Sequence, residues 1–239
     1  MPKTVTSPYS WLMLAGISLS LLFWSRLVKR DRRLFWIYVS ALTVAFIGAK
    51  LVYILAEGWL HFGAADVWIQ LATGKSILGG LLGGYAGVEL AKRWLGYTSA
   101  TGDWFALIVP VGIMVGRIGC WAHGCCRGVV CGPAWFTLSD ASGVARWPAV
   151  PVELMFNFLA LLSILLLRRR NLFPGQHFHL YLIAYGAFRF FHEFLREEPR
   201  ILGPLSGYQF AAIAVAILGG TRFMSRRNVV PNLTLLTRA

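Results

Sequence analysis

Arg117, Arg189, His192 and Glu193 all fall inside runs of apolar residues, and Lys50 does the same nearer the start of the chain. An ionisable side chain at the centre of a bilayer costs about 2.5 to 3.5 kcal/mol on insertion scales, so such groups face a cavity or a partner. Arg189 and Glu193 are four residues apart, which puts them on one helix face, with His192 and Arg196 beside them at helical spacing. One reading of this set is an internal ion pair that only holds helices together. The other is an anion site, because the arginines outnumber the carboxylate available to neutralise them. A guanidinium can grip phosphate oxygens at two points, and the nearest abundant anion to a membrane helix is a phospholipid headgroup. The chemistry expected of these residues is therefore work on a lipid phosphate.

The elements that must position them are membrane helices. The 239 residues are 57% hydrophobic and 14% charged, and the mean hydropathy is +0.61, too apolar for an ordinary soluble domain. The net charge of +13 does not imply nucleic acid, because the basic residues form short clusters between apolar runs rather than a water-soluble patch. A span needs roughly 20 mostly apolar residues. About seven segments approach that: Tyr9 to Val28, Leu34 to Ala56, Ser76 to Ala91, Asp103 to Trp121, Val150 to Leu167, Phe178 to Leu195, and Ser206 to Phe223. The expected class is thus an all-α, polytopic integral membrane protein.

Basic clusters follow the first span (Lys29, Arg30, Arg32, Arg33), the third (Lys92, Arg93), the fifth (Arg168, Arg169, Arg170) and the last (Arg222, Arg226, Arg227). With seven spans they share one side, the cytoplasmic one, so the N-terminus lies outside and the C-terminus inside. Arg117 and residues 189–196 then belong to the outer half of the bilayer. The first apolar run reads as a retained helix rather than a signal peptide, since only Lys3 precedes it and a dense basic cluster follows. No long Ser/Pro-rich linker or tandem array divides the chain, so residues 1–239 form a single membrane domain. Its longest outer loop, about 122–147, suits substrate contact.

Gly79, Gly83 and Gly87 recur every four residues, with Gly80 and Gly84 offset by one, a pattern that lets helices approach closely. Gly74-Lys75-Ser76 lacks the upstream glycine and strand of a phosphate loop, so nucleotide binding is set aside. Cys120, Cys125, Cys126 and Cys131 fall in one stretch and belong to one local feature. Cys120, His123, Cys125 and Cys126 invite a zinc reading, against which stands the spacing: adjacent cysteines seldom reach one ion together, and no second ligand pair follows. A cysteine nucleophile and a disulfide from Cys131 to an earlier cysteine are the other readings.

Gly116-Arg117-Ile118-Gly119, followed by Gly124 and Gly128, resembles the signature of the prolipoprotein diacylglyceryl transferases. Other segments continue the likeness in order. Gly48-Ala49-Lys50 with Tyr53 is similar to the family's Gly-Ala-Arg and tyrosine, and residues 74–84 to its glycine-rich segment. Arg146-Trp147-Pro148 with Glu153 resembles its Arg-His-Pro and glutamate. Tyr185-Gly186 through Arg189-Phe190, Glu193-Phe194 and Arg196 resembles its late helix motif, and Ser206 and Gln209 fit the start of its last helix.

The resemblance implies seven helices, an outward N-terminus and a site open to the periplasm and outer leaflet of a bacterial inner membrane. It implies transfer of the diacylglyceryl group of phosphatidylglycerol to the lipobox cysteine of a preprolipoprotein signal peptide, with release of glycerol phosphate. No metal or dissociable organic cofactor is expected. The substrate-contacting positions it implies are Lys50, Tyr53, Gly79, Gly80, Gly116, Gly119, Cys120, Gly124, Gly128, Arg146, Glu153, Tyr185 and Arg196. Arg117 and Arg189 are assigned to the phosphate, with Glu193 orienting Arg189.

This sequence departs from the family at positions that bear on the chemistry. The family's candidate histidine falls at Leu78, its two asparagines at Cys120 and His123, and its following glutamate at Cys125. Leu78 takes no proton, so His123 or His192 is assigned as the replacement base; the plain alternative for His123 is a water-exposed loop residue. A different acceptor, or a lipid transporter in which the arginines hold headgroups without reaction, are the competing functions. A transporter more often shows paired repeats with broken helices, and no repeated half is present here.

Overall fold

The structure, a computed structural model, describes residues 8–140 and 142–227. Lys3 lies outside the described residues, and so does the side chain of Arg227. Seven helices of 16 or more residues occur among the described residues. They are α1 (Pro8–Val28), α2 (Arg33–Ala56), α4 (Ile77–Trp94), α5 (Gly102–His123), α6 (Ala149–Arg169), α7 (His177–His192) and α8 (Gly207–Arg227). Each coincides with one of the seven apolar runs to within a few residues.

The structure adds details that hydropathy does not carry. A 3-10 turn (Gly58–His61) and a short helix, α3 (Val67–Thr73), occupy the connection before α4. The sixth run is also broken: α7 stops at His192, and Glu193–Leu195 form a 3-10 turn. The long loop contains a two-residue hairpin, β1 (Leu138–Ser139) and β2 (Ala145–Arg146), and a second hairpin, β3 (Arg200–Leu202) and β4 (Leu205–Ser206), precedes α8.

Of these helices, α2, α5 and α6 are long and apolar enough to cross a membrane, and the apolar part of α1, Leu14–Val28, is shorter. In α4 glycine replaces bulk, and α7 carries Arg189 and three histidines within 16 residues, so their composition is less apolar. Only 17% of the most apolar stretch of α2 is buried. Phe46, Leu51 and Leu55 on α2 and Leu159, Leu162 and Leu166 on α6 point outward, a surface suited to hydrocarbon rather than water.

Helix α2 packs on α4, α7 on α8, and α5 between α1 and α6. The first of these seams is made by glycine. A Cβ on Gly83 would run into the carbonyl oxygen of Val44, and one on Gly79 into that of Gly48. Ser40 Oγ donates to the carbonyl of Gly87 at 2.9 Å in the same seam. Trp24 seals α1 against α2 by stacking on Tyr38 with ring centres 5.3 Å apart. Leu78 is 1% exposed and sits in this core, so the position of the family's histidine is here a packing position.

Candidate active site

Where α5, α6 and α7 meet, five ionisable side chains are shut away from solvent. Arg117 comes from α5, Glu153 from α6, Arg189 from α7, and Glu193 and Arg196 from the turn that ends α7; none is more than 5% exposed. Arg117 Nη2 lies 2.7 Å from Glu153 Oε2, and Arg189 Nη1 lies 3.6 Å from the same oxygen. Arg189 Nη2 is 2.7 Å from Glu193 Oε2, which Arg196 Nε approaches at 3.6 Å. The result is an alternating chain, Arg117, Glu153, Arg189, Glu193, Arg196, that ties three segments together.

The carboxylates are held by neutral groups. Tyr185 donates its hydroxyl to Glu153 Oε1 at 2.7 Å, and Ser206 donates to Glu193 Oε1 at 3.2 Å. Gln209 fixes Ser206 in turn, accepting from its backbone N–H at 2.8 Å and donating to the Phe190 carbonyl at 3.1 Å. Behind Glu153, Asn157 donates to its backbone carbonyl and accepts from Tyr181. A carboxylate braced in this way keeps its charge and its direction.

The arginines are not so fully engaged. Arg117 Nε, Arg189 Nε and Nη1, and Arg196 Nε and Nη1 are buried and have no hydrogen-bond partner among the described residues. Buried donors left unpaired cost about 1 to 3 kcal/mol each, and more when charged. Three guanidinium groups therefore present five nitrogens without a hydrogen bond in one place, two of which, Arg189 Nη1 and Arg196 Nε, stand 3.6 Å from a carboxylate oxygen. Arg196 also meets Glu198 through Nη2, a carboxyl that burial pushes upward while Arg196 pulls it back. The arginine surplus expected from sequence is thus largely balanced in formal charge, and what remains unsatisfied is donor capacity.

The outer loop frames the other side. Gly124 closes α5 in the left-handed conformation, φ +69°, with the Cys125 N–H returning to the Cys120 carbonyl at 3.2 Å. Residues 127–131 then run between residues 195–197 and 145–147, joined to them by isolated bridges. Val129 N–H bonds the Leu195 carbonyl, Trp147 N–H the Val129 carbonyl, and Cys131 N–H the Ala145 carbonyl. Gly128 bridges to Arg196 and lies so close to Trp147 that a Cβ would strike its carbonyl oxygen. This pairing carries Cys126 up to the arginines. Hydrogen bonds from Cys120 and Cys125, then the charges of Arg117 and Arg196, push the Cys126 thiol far down, whereas Cys125 is pushed up by its bonds with Cys120 and Cys126.

Other residues singled out in the sequence take varied positions. His192 is buried, and its Nε2 accepts from Trp147 Nε1 at 3.3 Å. An indole nitrogen only donates, so the histidine proton sits on Nδ1. Accepting a proton at Nε2 therefore requires that bond to break. His123 is exposed at the last position of α5. Lys50 donates to the carbonyls of Leu71, Ala72 and Gly74 at 2.6, 2.6 and 2.9 Å, closing the end of α3. The Tyr53 ring covers Gly74. Gly79 lies in the α2–α4 seam, and Gly80 makes only ordinary contacts there. At Gly116, beside Arg117, a side chain would meet open space among the described residues, while Gly119 is buried. Arg146 braces the outer loop, paired with Asp140 at 2.7 Å and Glu197 at 2.8 Å. Trp147 was marked in the sequence only as part of the Arg146-Trp147-Pro148 motif, and Asn157 and Glu198 were not marked at all. The last was detectable only as one more charge after the late motif.

These features define an all-helical membrane protein organised around a buried arginine and carboxylate site. The model of the family described as prolipoprotein diacylglyceryl transferase matches residues 2–225, and the chain belongs to that family. It is 29% identical over 232 residues to phosphatidylglycerol–prolipoprotein diacylglyceryl transferase 2 of Clostridium perfringens, covering 88% of each chain. It is 30% identical over 244 residues to the phosphatidylglycerol–prolipoprotein diacylglyceryl transferase of Gloeobacter violaceus, covering 92% of this chain and 89% of the relative. With the enzyme of the same name from Pseudoalteromonas atlantica it shares 31% over 199 residues, 81% of this chain and 69% of that one.

Proposed function

We propose that this protein transfers the diacylglyceryl group of phosphatidylglycerol to the cysteine thiol of a lipobox in a preprolipoprotein signal peptide, releasing glycerol phosphate. The observation that carries this reading is the set of five buried guanidinium nitrogens on Arg117, Arg189 and Arg196 that make no hydrogen bond. In the reaction, the acceptor sulfur attacks the glyceryl carbon that bears the phosphate ester, the C–O bond breaks as the S–C bond forms, and glycerol phosphate leaves with the electron pair. Charge grows on the leaving phosphate oxygens, and donors already aimed at that position lower the barrier without reorganising. Glu193 orients Arg189, Glu153 holds Arg117 against it, and Tyr185 steadies Glu153. His123 or His192 accepts the thiol proton.

The donor's acyl chains need an apolar path beside these charges. A groove of about 290 Å³ between α5 and α6, lined by Met114, Trp121, Pro151, Leu154, Met155 and Phe158, supports one. Gly116, Gly119, Gly124 and Gly128 border the site on the loop side, and Arg146 shapes the loop over it. Lys50, Tyr53, Gly79 and Gly80 serve substrate through the shape of the α2–α4 half. Seven spans with the N-terminus outside and the C-terminus cytoplasmic place the cluster toward the periplasmic face of the inner membrane; the flanking basic residues support that orientation.

The test is the purified protein with labelled phosphatidylglycerol and a lipobox peptide, read by mass spectrometry. The expected products are the diacylglyceryl thioether and glycerol phosphate in equal amounts. Glycerol phosphate without modified peptide assigns another acceptor, and neither product, beside an active relative, rejects the transfer reaction.

A further inference from the structure

Cys120, Cys125 and Cys126 have no part in gripping phosphate, yet their three Sγ atoms lie within 4.8 Å of one another. The convergence is a property of one turn. Gly124 reverses the chain at the end of α5, and Cys126 is itself left-handed, φ +63°, a conformation that a non-glycine residue adopts only where its surroundings impose it. The turn brings the sulfurs of adjacent cysteines to the same point as Cys120, so the objection from sequence spacing does not hold. All three are free thiols. Zinc binds thiolate sulfur at about 2.3 Å, so sulfurs sharing one ion are about 4 Å apart and these need to close by no more than about 1 Å.

The surroundings suit such an ion. Three thiolates and Zn²⁺ sum to one negative charge, and Arg117 and Arg196 are the cations that bear on Cys126. Three protein ligands also leave the fourth tetrahedral position open, as in zinc sites that act on a substrate. We propose that Cys120, Cys125 and Cys126 form a three-thiolate zinc site whose fourth position takes the acceptor thiol. This inference rests on the transfer reaction above for its purpose, and it places the two reactants side by side, sulfur on zinc and phosphate on the arginines.

A thiol bound to zinc is deprotonated. Its proton passes to His123 or His192, its sulfur keeps the lone pair that forms the new S–C bond, and the C–O electrons depart with glycerol phosphate. Zinc changes neither oxidation state nor ownership. The site thereby performs the activation that Leu78, buried in the core, does not.

The full-length protein, purified in detergent without chelator, is expected to carry about one zinc per chain by elemental mass spectrometry. Exchange for cobalt(II) should produce the sulfur-to-metal charge-transfer and tetrahedral ligand-field bands of a thiolate site. Cys126→Ser and Cys125→Ser should lower metal content about tenfold or more while migrating as monodisperse protein on gel filtration. Cys131→Ser, outside the cluster, should retain it. Adding a lipobox peptide without any lipid donor should shift the cobalt bands, and the same peptide with serine in place of cysteine should not. Three thiols that titrate freely in the presence of zinc, or a disulfide within the trio, overturn the site. Bound metal whose spectrum ignores the peptide thiol overturns its role in holding the acceptor. None of these readings requires turnover, so they fail separately from the transfer reaction.

Discussion

Between α2 and α4 backbone touches backbone across glycine, whereas the junction of α5, α6 and α7 is filled by charged side chains that leave donors unused. Both regions are buried, and both depart from ordinary apolar packing. The glycine seam spends its contacts on fixing one distance between two helices. The charged junction gives up part of that fit and holds arginines in geometry that a phosphate can complete. A membrane protein built for scaffolding alone has no need of the second arrangement, because replacing a buried ion pair by well-packed apolar residues is often neutral or stabilising.

The largest effect is expected in the seam. Gly83→Val drives a branched side chain into the Val44 carbonyl and should cost more than about 4 kcal/mol, read as loss of monodisperse protein in detergent. If that variant purifies and melts like the parent, the seam is not the rigid half. Next is Glu153→Gln, which takes the shared counter-ion from Arg117 and Arg189. It should destabilise by about 3 to 5 kcal/mol in thermal unfolding, far beyond a lost hydrogen bond. Ser206→Ala removes one bond to Glu193 and should cost about 1 kcal/mol, with a larger proportional loss of activity than of stability.

The smallest effect lies in the outer loop, where water screens the charges. Hydrogen bonding to Arg146 holds the Asp140 carboxyl below its usual range. The contribution of that pair is complete above the unfolded value, about 3.9, and disappears as pH falls through the lower folded value. Amide protection across residues 138–146, relative to the intrinsic exchange rate at each pH, should therefore stay constant down to about pH 4 and fall only below it. A loss of protection near neutrality would mean that another group holds the loop.

Much of this division was legible in the residues. The Gly79, Gly83 and Gly87 spacing foretold the seam, because a four-residue repeat lies on one helix face whatever surrounds it. Arg189 and Glu193 were paired by the same arithmetic. Glu153 is different: it lies 36 residues from Arg189 in sequence, no local period links the two, and only the family motif marked it. The convergence of the thiols was not visible in their spacing for a physical reason. Sequence separation measures reach along a regular chain, and the left-handed residues at Gly124 and Cys126 fold that chain back on itself. Lys50, an apparent intramembrane charge, meets three helix-end carbonyls that no hydropathy pattern announces.

The central claim is that the guanidinium groups stabilise a departing phosphate, and Arg189→Lys tests it most directly. Lysine keeps the charge but loses the planar pair of donors that Arg189 presents. Single-turnover transfer from phosphatidylglycerol to a lipobox peptide, measured on variant protein whose melting is close to the parent's, should slow about 10²- to 10³-fold with little change in donor affinity. Turnover equal to the parent's would show that Arg189 carries no share of the leaving charge and would contradict the account.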